Sequence, residues 1–149
     1  MYTRILVPVD GSNTSSKALV TALQMARDTG GRVCLVHVID ELALVSGMEY
    51  GSSVVVIARE QAQKVLDDAA AMAKSAGVEV ELKLMEPGMR LGDCVADAAL
   101  GWKADLIVVG THGRRGLGRA LLGSGAEHII RYAPVPVLVI RSEPPSRQA

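Results

Sequence analysis

The sequence predicts an α/β fold, a three-layer sandwich in which helices cover both faces of a five-stranded parallel sheet. Two observations support this prediction. Segments typical of strands and of helices alternate along the whole 149-residue chain, and the first, second and fourth strand segments are almost continuously apolar. Strands of that kind are typical of parallel sheets whose two faces are both covered by helices.

The first half of the chain predicts two buried strands and two amphipathic helices. The strands are indicated by the runs ILVPV and VCLVHVI, and the helices by apolar residues at helical spacing that end at Gly30-Gly31 and at Gly77. The segment Asp40–Gly51 has no hydrophobic period and predicts a loop. The predicted bounds are Tyr2–Val9 and Arg32–Ile39 for the strands, and Ser15–Thr29 and about Ser53 to Ala76 for the helices.

The second half continues the same alternation. Its first strand alternates Val78, Val80, Leu82 and Leu84 with charged residues, which is the pattern of a strand with one face in water. The last strand, VPVLVIR, is interrupted by Pro136. We expect a single domain over 1–142 and a flexible C-terminal tail over 143–149. The predicted strands are Val78–Met85, Ala104–Val109 and Val135–Arg141, and the predicted helices are Arg90–Leu100 and Leu121–Tyr132.

The strand order can be predicted from the same patterns. The half-charged third strand and the last strand belong at the edges, and right-handed crossovers then favour the order 3-2-1-4-5, a flavodoxin-like winding. The winding reverses between strands one and four, and open α/β sheets bind ligands at such a point, beyond the carboxyl ends of the strands. We therefore expect a site between Asp10 and the loop that begins at Gly110.

Charge and composition exclude several classes of protein. Sixteen Lys and Arg residues balance sixteen Asp and Glu residues, and only 3% of the chain is aromatic, so nucleic acid is not an expected partner. No apolar run is long enough for a signal peptide or a bilayer span. Cys34 and Cys94 lie far apart in apolar segments, which predicts packed, reduced thiols in a cytoplasmic protein.

The strongest chemical signal is the glycine-rich segment GTHGRRGLGRALLGS between the fourth strand and the last helix. Glycines let the backbone approach a phosphate, and the N-terminus of a helix favours an anion. Ser124 can donate to a phosphate or cap the helix, and Arg114, Arg115 and Arg119 add positive charge. A surface loop with solvated arginines is the alternative. The fingerprints of P-loop NTPases and dinucleotide dehydrogenases are both missing.

On these segments the chain resembles the universal stress proteins. The resemblance covers nearly the whole chain and depends on ILVPVDGS, LVHVID, ADLIVVGTHGRRGLGRALLGS and APVPVLVIR. ATP-binding members of that family carry G-x2-G-x9-G-S/T, which Gly110, Gly113, Gly123 and Ser124 match with the same spacing. The resemblance implies an adenine-nucleotide-α-hydrolase-like form of the α/β fold, with ATP as the ligand.

The resemblance also implies individual roles. The glycine loop would hold the ribose and phosphates, Val38 would pack on the adenine, and Asp10 would meet the adenosine and lie near a Mg or Mn ion. The alternative role of Asp10 is to cap the first helix, helped by Ser12. Gly125 stands where the family usually has Val, and its amide can still serve a phosphate. The implied contacts of ATP are Pro8, Val9, Asp10, Val38, Gly110, Gly113, Arg114, Arg115, Gly116, Gly123, Ser124 and Gly125.

Other candidate groups have weaker signals. His37 and His128 are predicted to be structural, because nothing at metal-ligand spacing joins them. His112 could reach a phosphate or be satisfied within its own loop.

The resulting hypothesis is an ATP-binding universal stress protein that acts as a nucleotide-dependent sensor or regulator and is read by a partner protein of unknown identity. No nucleophile or general base stands out, so the alternatives are a slow ATPase or phosphotransferase and a nucleotide-free interaction module. The apolar edge formed by Val135, Val137 and Val139 predicts a homodimer by antiparallel pairing, which the resemblance also implies.

Overall fold

The computed structural model describes residues 1–39, 51–86, 88–111 and 124–141, and strands and helices alternate in it as predicted. The predicted loop before the second helix (except Gly51), most of the glycine-rich segment and the tail at 143–149 lie outside the described residues. The elements are β1 (Arg4–Pro8), α1 (Asn13–Thr29), β2 (Arg32–Val38), α2 (Ser52–Ser75), β3 (Val80–Met85), α3 (Leu91–Trp102), β4 (Leu106–Gly110), α4 (Ser124–Tyr132) and β5 (Val137–Ile140).

The strands form one parallel sheet in the order β3-β2-β1-β4-β5, which confirms the predicted order. β1 pairs with β2 from Arg4 and Arg32 onward, and with β4 from Ile5 and Leu106 onward. In a parallel sheet of this kind each crossover helix begins at the carboxyl edge and returns the chain to the amino edge. The carboxyl edge therefore collects the ends of β1, β2 and β4 together with the N-termini of the helices.

Two hydrophobic clusters cover the two faces of the sheet. Ile5 and Val7 of β1 contribute to the cluster beneath α1 and α2, whereas Leu6 contributes to the cluster beneath α3 and α4. Successive side chains of a strand point to opposite faces, so a strand buried on both faces must be apolar at every position. This explains why the central strand segments read as continuous apolar runs.

Four strands begin two residues later than predicted, and a side chain explains the difference at the amino edge of β1. The carboxylate of Asp105 accepts hydrogen bonds from the backbone N–H groups of Thr3 and Arg4, each at 3.0 Å. Those groups are satisfied by a side chain beside β4 rather than by the strand ladder. The hydrophobic pattern of a sequence does not show where a side chain takes the place of the neighbouring strand as hydrogen-bond acceptor, so the predicted strand starts too early.

The edge strand β3 departs from its predicted pattern at one residue. Val80 and Leu84 pack against the α1–α2 cluster as expected, but Leu82 on the same face is 38% exposed. An edge strand has a neighbour on one side only, so its apolar face is covered less completely than that of a central strand. The prediction that β3 lies at an edge is confirmed.

Both cysteines are free and buried, as predicted. Cys34 is 0% exposed, and burial raises the pKa of its thiol to about 12. Burial also raises the pKa of the Cys94 thiol. Thiols react as thiolates, so both groups are held in their unreactive form at neutral pH.

Within the residues that the structure describes, no helix has both the length and the apolar character needed to cross a membrane.

We expect Cys34 to resist iodoacetamide at neutral pH in the native protein, because its thiol is buried and protonated. Mass spectrometry of tryptic peptides after labelling would measure this. The matched control is the same protein labelled in denaturant, where Cys34 should alkylate fully. Labelling of Cys34 at the same rate in both states would contradict the burial described here.

Candidate functional site

The carboxyl ends of β1 and β4 lie side by side, as the predicted winding requires. Val9 follows β1, and its N–H donates to the carbonyl of Val36 at 2.8 Å. Gly110 ends β4, and the N–H of Thr111 donates to the carbonyl of Ile140 at 2.9 Å. The parallel ladders thus continue to the last residues before the predicted site, which fixes the backbone there.

A network of hydrogen bonds holds the turn after β1. The Oδ1 atom of Asp10 accepts from the N–H of Ser12 at 2.9 Å, and the hydroxyl of Ser15 accepts from the N–H of Asp10 at 3.1 Å. The hydroxyl of Ser12 accepts from the N–H of Ser15 at 3.2 Å and caps α1. The alternative in which Asp10 caps the helix is therefore wrong, and α1 begins at Asn13 rather than at Ser15.

A cavity of about 770 Å³ opens beside this turn, between α1 and α2 and at the ends of β1 and β2. Its volume falls within the range of about 300–1,000 Å³ that is typical of small-molecule sites. Three predicted residues, Val9, Asp10 and Val38, line it. The full lining is Val9, Asp10, Gly11, Ser15, Ser16, Leu19, His37, Val38, Ala58, Gln61, Ala62, Lys64, Val65, Asp68, Ala69 and Met72.

His37 contributes to the cavity as well as to the fold. Its Nδ1 atom lies 2.7 Å from the carbonyl oxygen of Val9. A carbonyl only accepts, so Nδ1 carries the hydrogen and donates it. This bond joins the end of β2 to the residue before Asp10. The sequence analysis predicted only a structural role for His37. Its position next to Val38, a predicted site residue, could have indicated that it also lines the site.

One wall of the cavity is formed by α2, and sequence reasoning missed it. Ala62, Val65 and Ala69 were recognised as an apolar stripe, but as core only. These residues line the cavity between α1 and α2, and so do the polar residues Gln61 and Lys64. Which helix faces the end of β2 depends on tertiary packing, which no local pattern in α2 reveals.

Gly110, which the sequence analysis assigned to the glycine motif, also has a packing role. A Cβ atom on Gly110 would lie 2.6 Å from the Cγ2 atom of Thr14 and 2.9 Å from its carbonyl carbon. Real Cβ atoms do not approach backbone so closely. The glycine is therefore needed for the first turn of α1 to pack on the end of β4.

The remaining predicted residues lie on or before α4. Ser124 is the first residue of the helix and Gly125 the second. A Cβ atom on Gly125 would lie 3.0 Å from the Cδ2 atom of Leu91, so Leu91 covers the place that a side chain there would take. The predicted residues Gly113, Arg114, Arg115, Gly116 and Gly123 lie outside the described residues.

The described part of the chain contains no group of three or more His, Cys, Asp and Glu side chains that could hold a metal ion. The carboxylates of Asp10 and Asp68 line the cavity, and that of Asp10 lies at the turn after β1. Mg²⁺ is commonly held by one or two carboxylates plus substrate phosphates. A metal at Asp10 would therefore need oxygen ligands from a bound phosphate.

Residues 1–141 match the model of the universal stress protein family. A universal stress protein of Methanocaldococcus jannaschii is 36% identical over 143 residues, which are 95% of this chain and 83% of that protein. The structure of hypothetical protein MJ0577 has a TM-score of 0.83 at 27% identity, and the match covers 97% of this chain and 99% of that one. A universal stress protein of Archaeoglobus fulgidus in complex with dAMP has a TM-score of 0.71 at 27% identity, covering 93% and 98% of the two chains.

We expect Gly110→Ala to lower the free energy of unfolding by about 1–3 kcal/mol, because overpacking against the backbone of Thr14 cannot be relieved by a rotamer change. Urea denaturation followed by circular dichroism would measure this. The control is Gly88→Ala, whose added methyl meets no atom within 4 Å. Equal stability of the two variants would show that Gly110 has no packing role.

Proposed function

This chain belongs to the universal stress protein family, and from that premise we propose that it binds ATP and acts as a nucleotide-dependent sensor or regulator in the stress response. The observation that carries the proposal is the cavity at the carboxyl edge of the sheet, where Val9, Asp10 and Val38 meet. Val9 and Asp10 directly follow β1, whereas Val38 is the last residue of β2, so the fold brings together positions that are distant in sequence. A relative of similar fold, in complex with dAMP, supports an adenine nucleotide as the ligand.

In the proposed complex, the adenosine lies in the cavity and the phosphates lie toward α4. Val38 packs on the base, and the Pro8–Val9 backbone and Asp10 contact the nucleoside. The amides of Ser124 and Gly125 are at the N-terminus of α4, where orphan N–H groups and the helix dipole favour an anion. The segment that contains Gly113, Arg114, Arg115, Gly116 and Gly123 completes the phosphate site in this proposal.

The proposed role is regulatory rather than catalytic. Hydrolysis would need a positioned water and a group that orients it. The cavity lining includes the carboxylates of Asp10 and Asp68 and the imidazole of His37, whose Nδ1 atom already donates to the carbonyl of Val9. The carboxylate of Asp10 already accepts a hydrogen bond from Ser12. We therefore propose that ATP, with Mg or Mn held at Asp10, is retained and at most slowly hydrolysed, in a cytoplasmic protein.

We expect Gly113→Val to abolish ATP binding, because a branched side chain would occupy the path of the phosphates. Titration calorimetry of nucleotide-stripped protein with ATP would measure this, and circular dichroism would verify that the variant folds. The matched control is Gly88→Ala, which adds a methyl to open space and should bind ATP like the wild type.

Phosphate release in the same samples separates the regulator from the enzyme. Release that scales with protein and is lost in Asp10→Ala would favour the slow ATPase. Retention of ATP without release would favour the regulator. Unchanged ATP binding by Gly113→Val would contradict the proposed position of the phosphates.

We also propose that the protein is a homodimer that pairs through β5. The carbonyls of Pro136 and Ile140 accept from Ile107 and Thr111, on the β4 side, at 3.0 and 2.9 Å. Backbone groups alternate in direction along a strand, so those of Val137 and Val139 point away from β4. Unpaired backbone at a sheet edge is a template for a second strand.

The side chains at this edge have a different role from the backbone. Those of Val135, Val137 and Val139 pack against the α3–α4 cluster, so the three residues would join subunits through their N–H and C=O groups. Antiparallel pairing of the same strand from two copies gives an isologous interface. A substitution that tests the dimer must therefore remove a backbone donor and leave the core volume intact.

We expect Val139→Pro to weaken the dimer about tenfold or more, because it removes an outward N–H while leaving the β4–β5 ladder in place. Sedimentation velocity at micromolar concentration would measure the association. The control is Val139→Ala, which reduces the side chain and keeps the N–H. A monomeric wild type, or equal weakening in both variants, would contradict edge pairing.

A further inference from the structure

The backbones of α3 and α4 approach each other closely at one residue. Gly92 is the second residue of α3 and is buried. A Cβ atom there would lie 2.5 Å from the carbonyl oxygen of His128 and 2.8 Å from its carbonyl carbon. The obstacle is backbone rather than the end of a flexible side chain, so an added methyl would force the two helices apart.

A hydrogen bond reinforces this contact. The N–H of Gly92 donates to the Nδ1 atom of His128 at 3.0 Å. The first N–H groups of a helix have no carbonyl partner within it, and His128 supplies the acceptor for this one. The other ring nitrogen, Nε2, is buried and has no hydrogen-bond partner in the part of the chain that the structure describes. The ring is thus held by a single polar contact, to Gly92.

Two neighbouring residues extend the contact along α4. Leu91 covers the Cα of Gly125, as described above. The guanidinium of Arg90 donates to the hydroxyl of Tyr132 at 3.1 Å and lies 5.2 Å from the centre of its ring. The residues at the start of α3 therefore contact α4 from its second residue to its last.

These contacts determine where α4 lies. The helix has nine residues, Ser124–Tyr132, and among the described elements its most extensive neighbour is α3. A helix this short moves as a rigid body, so a shift at His128 displaces Ser124, one turn away, by a similar distance. The start of α3 therefore controls the position of the N-terminus of α4.

We propose that Gly92 and His128 are positioning residues for the phosphate site. They hold the amides at the start of α4 at the distance from the sheet edge that a bound phosphate requires, without contacting the ligand. This inference rests on the proposed function, because it assigns those amides to the phosphates of ATP. Neither residue lines the cavity at Val9, Asp10 and Val38, so the nucleoside end should not depend on them.

The test compares ATP with adenosine, which lacks the phosphates. In Gly92→Ala we expect the Kd of ATP to rise about tenfold or more, and that of adenosine to change less than about twofold, since each lost hydrogen bond to a charged group weakens binding by this order. Titration calorimetry would measure both. The control is Gly101→Ala, in the same helix, whose added methyl meets no atom within 4 Å. Both of its Kd values should equal those of the wild type.

A second pair of variants covers the case in which Gly92→Ala does not fold. His128→Leu removes the acceptor and should weaken ATP selectively. His128→Asn keeps an acceptor near the position of Nδ1 and should restore ATP binding. A merely structural role would change ATP and adenosine together. Equal changes for the two ligands, or wild-type ATP affinity in Gly92→Ala and His128→Leu, would overturn the inference.

Failure of the proposed function has a different signature. A wild-type protein that binds neither ligand contradicts ATP binding itself. The positioning of α4 is then decided by amide hydrogen exchange, in which Gly92→Ala should accelerate exchange in α4 but not in α1. Unchanged exchange in α4 would overturn the control of α4 by α3 as well.

Discussion

The double pairing of β1 is the constraint on which the rest of the structure depends. This strand pairs in parallel with β2 on one side and with β4 on the other. Parallel neighbours must be joined by crossovers, and a crossover on each side of β1 requires helices on both faces. The helices that follow β1 and β2, α1 and α2, lie on the same face of the sheet and leave the cavity between them at the ends of these two strands. The fold, the two core clusters and the candidate site follow from one strand having two parallel neighbours.

Two glycines then determine how closely neighbouring elements pack at the carboxyl edge of the sheet. Gly110 lets the first turn of α1 approach the end of β4, and Gly92 lets α3 approach α4. Both contacts involve backbone atoms of the opposing element, so neither can be relieved by a rotamer change. The hydrogen bond from the N–H of Gly92 to His128 forms at the close approach that Gly92 permits, whereas that from Ser12 to Asp10 lies within a single turn.

Much of the fold could be predicted from the sequence. Each central strand is a continuous apolar run, whereas one edge strand alternates apolar with charged residues and the other is interrupted by Pro136.

The candidate site could be predicted less completely. Asp10 follows the first strand, so the predicted winding brings it to the carboxyl edge, whereas Val38 is implied only by the family resemblance. Both residues line the cavity. Gln61 and Lys64 reach it only because α2 packs over the end of β2, a tertiary choice without a local signal. The sequence left the cap of α1 open between Asp10 and Ser12; Ser12 is the cap, and the carboxylate of Asp10 accepts from its N–H. Side-chain hydrogen bonds of that kind are decided by geometry that a sequence does not specify.

Gly110 also bears on how glycine motifs are interpreted across related chains. Its contact with Thr14 involves no ligand atom. If a lineage with this packing lost its nucleotide, selection would release the glycines that only the ligand requires and would still retain this one. The first glycine of the motif is therefore required by the packing of this fold, whatever the later glycines bind.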